Sequence, residues 1–334
     1  MLVHIVLVSK VRIHKHTSDQ LFFSRWLSVR WVIYKANNMK SYKSQPKNNK
    51  SAVPLMSLGR SIVQSAKWSL NLKTSGDPSR QPIVFLHGWP DDDTLWQPFI
   101  DKLSSRYYCI TLCWPNFAGR VSRRLGYRIP ELADLAVHAL EEHGIKQKVI
   151  LVTHDWGALI GYHIERKHPD KVESMVSMDV ALRFKKNVVN LALMVSYQAP
   201  LVISWGIGLV LPPLGTLLNK AVAMMVRAPK HRVKKTTWAN GYLYFYLSLD
   251  GLLPDRSPLL DGKVPRCPTL FLYSTKSPIA FHDSKWLSDI QRSGGQSKGI
   301  KGDHWFFLSK FDEVFPLVEN FIGKDDPVVE RILA

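Results

Sequence analysis

"THDWGA", Thr153 to Ala158, follows the apolar run Lys148-Val-Ile-Leu-Val152 and leads into "GALIGYHIERKHP". A buried strand, a sharp turn and a helix are written in that order. An aspartate on such a turn is costly unless it meets partners or does chemistry. The pattern small-x-nucleophile-x-Gly is filled by Thr153, His154, Asp155, Trp156 and Gly157, the spacing of a nucleophile elbow. Gly157 lets the turn close without a clash, and the positive end of the following helix favours an ionised Asp155. With Asp in place of Ser, the covalent intermediate would be an ester on the chain's own carboxylate. The competing reading is an Asp that only caps the helix, which Asp does well.

Two other stretches bear on that choice. "FLHGWPDD" (Phe85 to Asp92) follows an earlier apolar strand, and "KGDHWFF" places His304 late in the chain. With a nucleophile elbow, an oxyanion is held by the amide after the nucleophile and by one from the loop after that earlier strand. Here those are the backbone N–H groups of Trp156 and Trp89. A lone histidine beside Trp305 would read as packing, but three motifs in this order read as one site.

The rest of the chain supplies a scaffold. "PIVFL" (82–86), "YYCITL" (107–112), "KVILV" (148–152), "KVESMVSM" (171–178) and "PTLFLY" (268–273) read as strands. Four of the five are almost continuously apolar, as strands covered on both faces are. In "PELADLAVHALEEHG" (130–144), Leu132, Leu135, Ala136, Ala139 and Leu140 form one stripe, with Pro130 in the first turn and Gly144 ending the helix. Strands alternating with such helices predict a doubly wound, mostly parallel α/β sheet, with functional residues at the carboxyl ends of strands.

Residues 182–262 break the alternation and read as helices and loops. No charge occurs from Asn187 to Asn219, long enough to raise a membrane span. Pro200, Pro212 and Pro213 argue against one. So does topology, because a crossing would separate strands that must share a sheet. An apolar lid over a lipophilic pocket is the expectation. The domain reading is therefore a basic N-terminal extension (1–65), a first core segment (66–181), a helical cap (182–262) and a second core segment (263–334).

The net charge of +18 first suggests nucleic acid or an anionic membrane. Met1 to Gly76 holds 13 Lys or Arg against one acid, Asp19, which is two thirds of that excess. The remainder is mildly basic and shows no nucleic-acid-binding signature, so no nucleic-acid partner is expected. Peripheral membrane contact through the apolar cap or the basic N-terminus stays open, as does the oligomeric state. Cys109, Cys113 and Cys267 are odd in number with apolar neighbours, and read as reduced core thiols. A metal site is not expected, since the i, i+4 pair lies in a strand pattern. The expected compartment is cytoplasmic, with a mitochondrial presequence compatible with the acid-poor N-terminus.

"HGWP", "HDWGA" and "GDHW" together resemble the α/β-hydrolase fold, in its epoxide hydrolase and haloalkane dehalogenase branch, over about residues 67 to 324. The resemblance implies an inserted helical cap and no cofactor. It also implies a small lipophilic substrate attacked by Asp155, then released by water that His304 activates. Trp89 stands where epoxide hydrolases commonly carry an aromatic residue, which leans the reading towards an epoxide. The chain departs from the pattern at the acid that orients the histidine: "YSTKSP" has Ser277 where the family carries Asp. Asp179, at the end of the strand after the elbow, is the favoured substitute, and Asp283 is the alternative. Asp303 is discounted because it adjoins His304 in sequence. Family members assist the leaving oxygen with two cap tyrosines. "SYQAP" nominates Tyr197, and in "NGYLYFYLSL" Tyr242, with Tyr246 behind it, is expected to be the other. Two rivals remain: a haloalkane dehalogenase on the same Asp155 and His304, with Trp156 and Trp205 or Trp238 holding halide, and an impaired, ligand-binding hydrolase fold.

Overall fold

The computed structural model describes residues 70–252 and 261–323. The expected extension at 1–65 lies outside them, as does the end of the last core segment. Among the described residues, seven strands form one sheet in the order β1-β3-β2-β4-β5-β6-β7. They are β1 (Asn71–Ser75), β2 (Pro82–Leu86), β3 (Tyr108–Cys113), β4 (Val149–His154), β5 (Val172–Met178), β6 (Thr269–Ser274) and β7 (Gln296–Ile300). Of these seven, β1 alone runs antiparallel, against β3. All five sequence-predicted strands are present. The two that were missed, "NLKTS" and "QSKGI", are the sheet edges. An edge strand keeps polar side chains facing water, so it lacks the apolar run that betrays a central strand.

Helices α1 (Gln97–Leu103), α2 (Ile129–Glu142) and α3 (Trp156–Lys167) connect the first strands. The predicted stripe of α2 is the face it buries: Leu132, Ala136, Ala139 and Leu140 are in the core, and Leu135 packs half-buried against it. Gly144, at φ +77°, takes the left-handed turn after the helix. Strands β3 and β4 flank β2 on opposite sides, so the winding reverses there. Such a switch point opens a crevice at the carboxyl ends of the strands. Both the Asp155 turn and the Trp89 loop leave the sheet at that crevice.

Between β5 and β6 the chain inserts α4 (Val188–Gly208), α5 (Pro212–Met225), α6 (Lys230–Lys235) and α7 (Tyr242–Leu252). Pro200 does not interrupt the run as expected but lies inside α4, while Pro212 and Pro213 open α5. α4 is long and apolar enough to cross a membrane by length and composition. Its flanking strands pair directly, Met175 with Thr269 through Met178 with Leu272. Both ends of the insertion thus return to one sheet, which a crossing would forbid. The described residues after β6 also form α8 (Ser284–Arg292), α9 (Phe306–Ser309) and α10 (Phe311–Ile322).

Candidate active site

Strand β4 delivers Asp155 in a conformation that side chains rarely adopt, φ 52° and ψ −122°. Strain of this kind costs of order 1–3 kcal/mol and persists where the surroundings over-determine it. Two glycines do so here. A Cβ on Gly157 would lie 2.1 Å from the Leu86 carbonyl oxygen, and one on Gly88 would lie 2.3 Å from Asp155 Oδ2. The elbow and the β2 loop therefore touch only because both positions lack side chains.

That contact sets the carboxylate. The Trp89 amide donates to Asp155 Oδ2 at 2.7 Å, and the Trp156 amide faces the same group. Burial raises the Asp155 pKa; the His304 charge and these two amides oppose the rise without cancelling it. Asp155 is not a side-chain cap for α3, so the capping alternative fails.

His304 Nε2 lies 3.8 Å from Asp155 Oδ1, while its Nδ1 meets Asp179 Oδ2 at 2.6 Å. Asp179 is 2 % exposed and is fixed further by the Ser274 amide, which donates to its Oδ1 at 2.8 Å. Burial alone would lower the His304 pKa. The hydrogen bond and charge of Asp179, then the charges of Asp155 and Asp91, outweigh it and raise the value to about 8.

The other acids are engaged elsewhere. Asp283 caps α8 by accepting from the Trp286 amide at 2.7 Å and pairs with Arg183 at 3.1 Å, so the alternative assignment is corrected. Ser277 turns its amide onto Ser274 Oγ, and Asp303 accepts from the Trp305 amide.

Of the nominated tyrosines, only Tyr197 is brought to the site. Residues 242–252 are helical, so Tyr242 and Tyr246 share one face and Tyr244 points the other way. Tyr242 packs edge-on against Phe117, and the Arg128 guanidinium sits over the Tyr246 ring, both away from Asp155. Tyr244 instead stands edge-on to Trp156 at 4.9 Å, to Trp89 at 5.8 Å and to Tyr197 at 5.9 Å. Burial and the Asp155 charge hold both the Tyr197 and Tyr244 phenols well above their ordinary pKa, although Gln198 partly counters this at Tyr197 and Trp156 at Tyr244. They are protonated donors. The alternation at 242, 244 and 246 was visible in the sequence, but its helical phase was not.

Three further groups escaped the sequence reading. His154, the "x" before the nucleophile, is buried against His304, with ring centroids 4.4 Å apart, and its Nε2 meets the His304 carbonyl at 2.9 Å. Burial, aided by the His304 charge, drives its pKa well below normal, so it is a neutral brace. Asp91 accepts from the Trp305 indole at 2.9 Å, and burial raises its pKa to about 6. Arg232, on α6, is buried between Asp91 and Asp92, with Lys235 also on Asp92 at 2.6 Å. A second latch runs from the Trp89 indole to Asn219 and on to Ser204. Both fasten the inserted helices to the loop that carries the Trp89 amide. The nominated halide holders are engaged in packing: Trp205 stacks on Phe245, and Trp238 lies against Gly208. The three cysteines are free, and burial raises each thiol to about 12, which suits inert core residues.

Residues 83–317 match the α/β hydrolase family. Among curated relatives, epoxide hydrolase B of Mycobacterium tuberculosis is 32% identical over 101 residues, covering 29% of this chain and 28% of that one. A haloalkane dehalogenase of Bradyrhizobium diazoefficiens is 23% identical over 111 residues, 33% of this chain and 36% of that one. These matches span about a third of the relatives' length. A solved structure of Bacillus megaterium epoxide hydrolase with an inhibitor superposes with a TM-score of 0.60 at 18% identity, covering 76% of this chain and 97% of that one. Sheet order, elbow and family match converge: the chain belongs to the α/β hydrolase family.

Proposed function

We propose that this hydrolase opens a lipophilic epoxide to a diol through an ester on Asp155. The observation that carries the reading is the opposition of two donor phenols, Tyr197 and Tyr244, to a carboxylate backed by a His304–Asp179 pair. Asp155 Oδ2 is held by the Trp89 amide, which leaves Oδ1 to attack the less hindered ring carbon. The C–O bond breaks towards the phenols, and one of them donates its proton to the departing oxygen. The insertion acts as a lid whose apolar interior suits a lipophilic substrate.

Alkylation then changes the electrostatics of the site. Asp155 loses its charge, which is one of the charges that keep His304 protonated. His304 gives up its proton to the phenolate left by ring opening, and the neutral imidazole then takes a proton from water as that water attacks the ester carbonyl. Asp179 holds the resulting imidazolium, and the Trp89 and Trp156 amides hold the oxyanion, about 3 kcal/mol per donor in related acyl chemistry. Collapse releases the diol and returns the carboxylate. Dehalogenation would use the same Asp155 and His304, but the paired phenols favour an oxygen leaving group. The binding-only reading drew on Ser277, and the Asp179 contact supplies the carboxylate that Ser277 lacks.

A single turnover of styrene oxide in water labelled with heavy oxygen tests this. The label is expected in the Asp155 peptide and not in the diol. Label in the first-turnover diol would mean direct attack by water and would overturn the ester.

A further inference from the structure

The inserted helices turn an apolar face outward that the chemistry above does not use. On α4 the buried residues Leu201, Ser204, Trp205 and Gly208 recur at helical spacing on one side. Val195 and Ile203, 47% and 41% exposed, lie on the other. On α5, Leu214, Leu217 and Met224 are 44%, 63% and 60% exposed, opposite buried Asn219 and Ala223. Val210, 79% exposed, continues the face through the bend between the two helices. Singly exposed apolar residues are ordinary, but a continuous face on two adjacent helices marks an interaction surface. A lid needs an apolar inner side only.

Charge identifies what covers this face. From Val180 to Leu249 there are nine Lys or Arg and no Asp or Glu. Lys185 and Lys186 stand exposed just before α4, and Arg227 and Lys230 just after α5. Arg124, which donates to the Leu209 carbonyl, brings another basic loop to the bend. A second copy meeting this face would set like charges against each other. The chain's own first 76 residues, with 13 Lys or Arg against one acid, carry the same sign. An apolar stripe flanked by cations fits a lipid interface with negative headgroups.

We propose that the outer face of α4 and α5 docks on a membrane surface containing anionic phospholipid. The helices lie in the plane of the interface, with the apolar side chains in the acyl boundary and the flanking lysines and arginines at the headgroups. Tyr197 lies on α4 as well, so one helix carries both the docking face and a residue of the Asp155 pocket.

Flotation of the full chain with vesicles decides the matter, using phosphatidylcholine alone and phosphatidylcholine mixed with phosphatidylserine. The parent protein is expected to float with the mixed vesicles and much less with phosphatidylcholine alone. The combined variant Val210→Ser, Leu214→Ser, Leu217→Ser is expected to lose about tenfold or more in binding. Its melting temperature and its turnover of a soluble substrate should stay unchanged. The variant Arg227→Glu, Lys230→Glu should lose binding to mixed vesicles only. The N-terminal residues are present in every protein compared, so their contribution is common to all. Failure of the parent to float, or flotation of both variants at the parental level, would overturn the proposal. So would a vesicle-free dimer that the serine variant dissolves, since the face would then belong to a second copy.

Discussion

Asp179 Oδ2 and His304 Nδ1 are 2.6 Å apart across 125 residues of sequence. The contact exists because β5 and β6 are neighbours in the sheet, and the Ser274 amide at the end of β6 holds the second Asp179 oxygen. Asp179→Asn keeps the size of the side chain but cannot offset an imidazolium. Ester hydrolysis is expected to slow by about a thousandfold or more after a normal first step. Mass spectrometry should find alkylated enzyme accumulating in this variant and not in Asp283→Asn.

The strain at Asp155 gives a prediction with opposite signs for activity and stability. Asp155→Gly removes the carboxylate and relieves a φ of 52° that glycine accepts freely. Turnover should vanish while the unfolding free energy rises by about 1 kcal/mol. Chemical denaturation reads the second effect, and a loss of stability would show that the carboxylate's bonds to the amides outweigh the strain.

Tyr244 and Tyr242 should separate cleanly. Tyr244→Phe removes a proton donor at the pocket, and alkylation should slow by about 100-fold. Tyr242 has a buried hydroxyl with no hydrogen-bond partner among the described residues. Tyr242→Phe should leave the rate unchanged and stabilise the fold by up to about 1 kcal/mol. Pre-steady-state alkylation rates and melting curves of the two variants check both halves.

Stability should fall across one alkaline window. A histidine raised from 6.5 to about 8, as His304 is, stabilises the fold fully below pH 6.5. That contribution, about 2 kcal/mol, is lost as pH climbs through about 8. The other shifted histidines, His87, His154, His163, His231 and His282, are all lowered and change below 6.5. Asp91 changes between 3.8 and about 6, again below the window. Melting temperature is therefore expected to drop between pH 6.5 and pH 8, and Asp179→Asn should flatten most of the drop.

The sequence by itself determined the fold and singled out Asp155 and His304 as the candidate reacting groups. Central strands are covered on both faces, and burial writes itself as apolar runs such as "KVILV" and "PIVFL". The elbow is equally local, because Gly157 and Asp155 are required by one turn, and His304 sits beside its own motif. Tertiary structure decided the partners. The sequence favoured Asp179 over Asp283 only for its place at a strand end; the pairing of β5 with β6 brings the first to His304 while α8 takes the second as its cap. Tyr244 displaced Tyr242 because the phase of a helix is fixed by what it packs against. The edge strands and the Arg232 cluster left no local mark, since solvent-facing side chains are weakly constrained and a buried ion pair joins residues 140 apart.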